Sequence, residues 1–274
     1  MAIVWSEPPQ ERLLVNGTAL EYGCWGPAPD EAPTLVLLHE GLGSVAQWKG
    51  LPQALVDATG FGVFAYSRAG YGASDTISVP RPREYMTREA EDTLGAVMDA
   101  AGIQQAVLLG HSDGATIAAI YAGSVSDMRV RGLILIAPHF FAEAGGLEEI
   151  RAAGKVYHTG DLRAKLAKYH KNVDAAFCGW HDAWTDPAFA KWNVADVIDH
   201  LRIPVLAVQG RDDPYGTLAQ INEIATRIYS PLETLILDDC GHAPHLENPD
   251  ATLAAISEFC DRLWRLEQQE VALA

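Results

Sequence analysis

Positive charge is scarce in this chain. Lys and Arg total 20 against 36 Asp and Glu, a formal net charge of −16. Nucleic acid and anionic membrane surfaces carry the same sign, so neither is expected as a partner. Cysteine is scarce too. Cys24, Cys178, Cys240 and Cys260 form no C-x-x-C pair and no dense framework. That excludes a disulfide scaffold and reads as reduced thiols in a cytoplasmic protein. No apolar run approaches membrane-spanning length. Met1 to Gln10 holds Glu7, Pro8 and Pro9 and no long apolar stretch, so no secretory leader is expected. There is no internal repeat, no low-complexity tract, no Gly-rich phosphate loop and no His, Cys or carboxylate spacing of the metal-binding kind. Neither a cofactor nor a metal is therefore expected.

Apolar residues are plentiful, 49% of the 274. That supplies a core for one large α/β domain with room for an inserted subdomain. The chain is organised around residues 106–122. Val107, Leu108 and Leu109 are a short apolar run that reads as a buried strand. After Gly114 the sequence is Ala-rich and apolar all round, which reads as a buried helix. Between them lies Gly110-x-Ser112-x-Gly114. Glycines two residues either side remove the Cβ atoms that would clash in so sharp a strand-to-helix turn. The turn raises the serine hydroxyl at the start of a helix, where amides and dipole favour negative charge. An ordinary Gly/Ser turn is the plainer reading, but the strand before and the helix after favour a nucleophile.

Other strands are predicted at 12–15 and 18–23 around the hairpin signal Asn16-Gly17, and at 34–38, 62–66, 131–138, 203–210 and 234–237. Cys24 to Pro33 reads as a connection. Helices are expected over 45–58, from Thr87 as N-cap to Ala101, over 218–228, and from Pro249 onward, with a frayed tail from Glu267. Residues 140–200 break the strand–helix rhythm. They carry helical stretches at 148–155 and 162–170 and the aromatics Phe177, Trp180, Trp184, Phe189 and Trp192. This is a candidate helical cap, with some aromatics lining a pocket and most packing it down. His170 and His181 read as satisfied or solvent-facing rather than as ligands.

Leu13 to about Leu263 resembles the α/β-hydrolase superfamily. The resemblance rests on the nucleophile elbow at Ser112, on His39-Glu40-Gly41-Leu42 in the place of an H-G-x-x loop, and on Ser67-Arg68-Ala69-Gly70-Tyr71-Gly72-Ala73-Ser74 in the place of D-x-x-G-x-G-x-S. Glu40 stands where the first glycine is usual, and Ser67 where aspartate is. The implied fold is α/β, a mostly parallel central sheet flanked by helices. Residues 1–139 and 201–274 would form the core, with a helical cap at 140–200 after the strand ending near Ala137. The resemblance implies the order Ser112, Asp213, His242 as nucleophile, acid and base. Asp212 is the rival acid and Glu143 a remote third. Gly41, or else Leu42, and Asp113 would give the oxyanion amides. The Asp113 carboxylate either tunes the polarity of the site or bonds the helix N-terminus. Arg68 and Asp75 read as paired or solvated. Leu42, His139, Trp180 and Trp184 are candidate substrate contacts. The implied activity is a serine hydrolase acting on a carboxyl ester, lactone or thioester of a small, partly apolar compound through an acyl-serine. The alternatives are a C–C bond hydrolase of a ring-fission product and a non-catalytic, receptor-like fold. A homo-oligomer is left open.

Overall fold

A computed structural model describes residues 12–268 together with Ile3 and Trp5. Most of the N-terminal stretch read for a leader, and most of the tail from Glu267, lie outside the described residues. Among those described, no helix is long and apolar enough to cross a membrane.

A seven-stranded sheet runs in the order β3-β5-β4-β6-β7-β8-β9. Its strands are β3 (Tyr22–Trp25), β4 (Thr34–Leu38), β5 (Gly62–Tyr66), β6 (Ala106–His111), β7 (Val130–Ile136), β8 (Val205–Gly210) and β9 (Leu232–Leu237). Only β3 is antiparallel to its neighbour. The Asn16-Gly17 turn joins β1 (Leu13–Val15) to β2 (Thr18–Leu20) in a separate two-stranded ribbon. The stretch expected as one strand over 18–23 is therefore divided, and Cys24 and Trp25 lie in a strand rather than in a connection.

The central strands read as continuous apolar runs because both faces are covered. Alternate residues go to opposite layers. Val36, Leu38, Leu108, Leu133 and Leu135 join the core around α4 (Asp113–Ser124). Leu35, Leu37, Val107, Leu109, Ile134 and Ile136 join that beneath α1 (Leu51–Thr59) and α10 (Pro249–Gln268). Helix α4 is buried from Asp113 to Tyr121.

Several helix boundaries differ from expectation. The predicted 45–58 helix is a 3-10 turn, Val45–Trp48, then α1, because Lys49 takes φ 53° and breaks the run. The helix expected from Thr87 begins earlier. It comprises α2 (Tyr85–Arg88), a π-helical turn over Glu89–Leu94 and α3 (Gly95–Ala100). Thr87 is internal because Tyr85 and Met86 are drawn into the core. Between β7 and β8 the chain is helical: α5 (Ala144–Thr159), α6 (Leu162–Leu166) and α7 (Val173–Thr185), followed by 3-10 turns at Pro187–Lys191 and Ala195–His200. Helix α8 (Leu218–Arg227) follows β8, and the short α9 (Pro244–Glu247) precedes α10.

The strand order places the site. From β4 the chain moves to β5 on one side, then crosses to β6 on the other, so β4 and β6 lead away from a crevice at their carboxyl ends. Leu38 pairs with Gly110, which brings the loop after β4 beside the turn after β6. There the backbones are nearly in contact. A Cβ on Gly114 would run into the Leu38 carbonyl, and one on Gly110 into Gly114.

Gly114→Ala is therefore expected to cost about 3 kcal/mol or more, since backbone must move to admit it. Gly145→Ala, with nothing within 4 Å of the added carbon, is expected to change stability by less than about 1 kcal/mol. Denaturation midpoints of the two variants check this; equal midpoints would contradict it.

Candidate active site

Ser112 sits between the last residue of β6 and the first of α4 with φ 54° and ψ −118°. Such a conformation costs a residue with a side chain on the order of 1–3 kcal/mol and persists only where its surroundings impose it. Here the Ser112 N–H donates to Ile136 O at 2.9 Å. Its carbonyl accepts from Ala115 N and Thr116 N at 2.9 and 3.1 Å. The hydroxyl makes no hydrogen bond among the described residues, and Ser112 lines a cavity shared with His242.

His242 follows β9 and Asp213 follows β8. His242 Nδ1 lies 2.7 Å from Asp213 Oδ2. Asp213 also accepts from Gln209 Nε2 at 2.8 Å and from Tyr215 N at 2.8 Å. Burial works against its charge, but the contact with His242 and the Tyr215 amide outweigh it and hold the carboxyl below the ordinary range. A carboxylate can only accept, so the imidazole proton sits on Nδ1 and Nε2 presents a lone pair. The His242 carbonyl accepts from His111 Nε2 at 2.7 Å, which fixes the backbone behind the ring.

The rival carboxylates are elsewhere. Asp212 is exposed, its amide pinned to Cys240 O at 2.9 Å. Glu143 accepts from Thr217 N, Thr217 Oγ1 and Gln220 Nε2 at the start of α8.

The amides of Gly41 and Asp113 donate to no acceptor among the described residues. Arg68, read from the sequence as paired or solvated, is 1% exposed and holds the loop after β4 in place. Its Nη1 donates to His39 O at 2.5 Å and its Nη2 to Glu40 O at 3.0 Å. Its backbone N–H donates to His39 Nε2 at 3.0 Å. The Glu40 carbonyl and the Gly41 N–H belong to one peptide unit, so the guanidinium orients that amide and polarises it as a donor. Burial, then Arg68, keeps His39 well below its ordinary pKa and so neutral. Asp75, also read as paired or solvated, pairs with Arg12.

The Asp113 carboxylate does not bond the helix N-terminus. Tyr85 O–H donates to its Oδ2, and Trp184 Nε1 donates to the Tyr85 oxygen at 2.8 Å. Arg68 Nη2 is 3.9 Å from the same carboxylate oxygen. Burial nevertheless raises the Asp113 pKa above the usual value.

The cavity measures about 130 Å³. The four candidate substrate contacts, Leu42, His139, Trp180 and Trp184, all line it, as do Gly41 and Asp113. The Trp180 indole rests on Gly41 so closely that a Cβ there would collide with it. Burial, then His242, presses His139 down to about 3, so it stays neutral beside His242. Glu40, Ile150 and Tyr215, which are not among the expected contacts, complete the wall. Tyr215 lies two residues past Asp213 and Glu40 in a loop already singled out, so position marked both; nothing in the sequence marks Ile150. The other aromatics pack among themselves, Tyr157 on Phe177 at 3.7 Å and Phe189 on Trp192 at 5.1 Å between ring centres. His170 ties loops together, accepting from Gly72 N at 3.0 Å and donating to Leu42 O at 2.9 Å. A larger hollow of about 430 Å³ around Gly123, Met128 and Arg202 contains none of these groups. It lies by the starts of β7 and β8, away from the carboxyl ends that carry Ser112, Asp213 and His242.

The alpha/beta hydrolase fold family matches over residues 33–177. The chain is 22% identical over 273 residues to a proline iminopeptidase of Lactobacillus helveticus, covering 85% of this chain and 91% of that protein. It is similar in structure to a thermophilic esterase from Thermogutta terrifontis, with TM-score 0.72, 19% identity, and 93% of this chain and 99% of the other covered. It is likewise similar to the enol-lactonase from Burkholderia xenovorans, with TM-score 0.68, 22% identity, and 90% and 98% covered. With more than half of its length matched and the sheet order described above, this chain belongs to the alpha/beta hydrolase fold family and is a hydrolase.

Proposed function

We propose that this hydrolase is a serine hydrolase cleaving a carboxyl ester, lactone or thioester of a small, partly apolar compound. The observation that carries the reading is the buried Asp213 carboxylate, 2.7 Å from His242 Nδ1, behind a ring that lines one cavity with Ser112. In this reading Ser112 Oγ attacks the carbonyl carbon while His242 Nε2 takes its proton. The carbonyl electron pair moves to oxygen, where the Gly41 and Asp113 amides receive it. Collapse breaks the bond to the alcohol or thiol, which leaves with the proton that His242 took from Ser112. Water, deprotonated by the same histidine, then attacks the acyl-serine and releases the acid.

Residues 140–200 act as a cap, supported by Ile150, Trp180 and Trp184 lining the same cavity as Ser112. The size of that cavity supports a small substrate. A cytoplasmic location is supported by Cys178, Cys240 and Cys260 standing outside any disulfide among the described residues.

Treatment with a fluorophosphonate should add its mass to Ser112, and the enzyme should turn over p-nitrophenyl esters with a preference for short chains. An active enzyme labelled on another serine, or not labelled at all, would sink the reading. Asp213→Asn should lower kcat by about 10⁴-fold, since the amide presents the wrong hydrogen-bonding partner to Nδ1. Asp212→Asn should stay within about threefold of the parent, as expected of an exposed side chain away from the chemistry. Steady-state kinetics on one ester ranks the two, and a larger loss at Asp212 would contradict the assignment.

A further inference from the structure

Carboxyl-bearing residues Glu40 and Asp113 line the cavity, and among the described residues no Lys or Arg does. Their situations differ. The Asp113 side chain is 1% exposed, bonded by Tyr85 and faced by Arg68. Glu40 keeps 27% of its side chain exposed. Its carboxylate accepts no hydrogen bond among the described residues, and Oε2 stands 3.6 Å from His111 Nδ1, beyond hydrogen-bonding range. Gly43 makes room for this arrangement, because a Cβ there would collide with Glu40 Oε2. Arg68 reaches the Glu40 carbonyl, not the carboxylate. Burial opposes the charge on Glu40, yet the contact with His111 holds the group well below the ordinary carboxylate range. The wall therefore carries a carboxylate-bearing residue, paired with His111, one residue before the Gly41 amide.

Resting on the serine-hydrolase reading, we propose that this cavity admits uncharged or cationic acyl compounds and rejects those whose entering half bears a carboxylate, Glu40 setting the sign. A carboxylate brought within several ångströms of Glu40 in a confined, poorly hydrated space meets repulsion on the order of 10- to 100-fold in affinity. An ammonium group meets the same field as attraction, and the indole and phenol rings of the wall accommodate it. The sign also separates ester chemistry from ring-fission chemistry. Oxidative cleavage beside a catechol hydroxyl leaves a carboxylate on the product, which this wall disfavours.

The test is a matched set of short esters ending in methyl, carboxylate or ammonium, with the end group placed first on the acyl half and then on the alcohol half. In the parent enzyme kcat/KM for the carboxylate ester should fall about 10-fold or more below the methyl ester in at least one half. Glu40→Gln, which keeps the size and removes the charge, should shrink that gap. Ketone analogues of the same compounds, which cannot be hydrolysed, should bind in the same order by calorimetry on the parent enzyme. A carboxylate compound bound or turned over as well as the methyl compound in both halves would overturn the proposal. If Ser112 takes no phosphonate label while the ketones still bind in the stated order, the serine-hydrolase reading falls and the charge selection stands. If the label is taken and the order is absent, the charge selection falls alone.

Discussion

The first turn of α4 lies so near the end of β4 that one methyl group on Gly114 would strike the Leu38 carbonyl. The other features of the site follow from that approach. It requires glycine at 114, and glycine at 110 where the turn passes back over the strand. Ser112 is left in a positive-φ conformation that raises its hydroxyl out of the sheet. It also brings the Asp113 amide beside the loop that begins at His39, since Leu38 and Gly110 are register partners. Local strain and close backbone approach thus bring together groups from separate strands.

The polar groups beneath the cavity form one connected set. Arg68 binds the His39 and Glu40 carbonyls and faces the Asp113 carboxylate. Asp113 accepts from Tyr85, and Tyr85 accepts from Trp184 on α7. A buried guanidinium would be costly alone, and so would a buried carboxylate; near one another, with hydrogen bonds to carbonyls and a phenol, each offsets part of the other's desolvation. The same chain of contacts runs from the inserted helices to the Asp113 side chain and the Glu40–Gly41 peptide unit.

Much of this was legible in the sequence because it is local. Ser112, Asp213 and His242 each follow a strand recognisable by its apolar run, and the structure brings Asp213 into contact with His242 and Ser112 into one cavity with His242. The ambiguity between Asp212 and Asp213 is also local, a matter of one residue of register, and it is Asp213 that lies against His242. Arg68 and Tyr85 were not legible in these roles. Their partners come from distant strands and helices, and a lone Arg in a loop or a Tyr after a Pro-rich stretch carries no pattern. Thr87 was read as a cap on its residue type, but tertiary packing of Tyr85 and Met86 starts the helix sooner. The separate ribbon of β1 and β2 and the break at Lys49 depend on backbone geometry that periodicity does not encode.

The central claim is that the Gly41 and Asp113 amides, one oriented by Arg68 and the other by the strained turn at Ser112, jointly receive the developing negative oxygen. The most direct measurement is a crystal structure of the enzyme carrying a phosphonate on Ser112, whose phosphoryl oxygen stands in for that oxygen. The account predicts the oxygen about 2.7–3.1 Å from both amide nitrogens, with Arg68 still bound to the Glu40 carbonyl. An oxygen turned toward the Leu42 amide or the Trp180 indole, with the Gly41 amide unengaged, would contradict it.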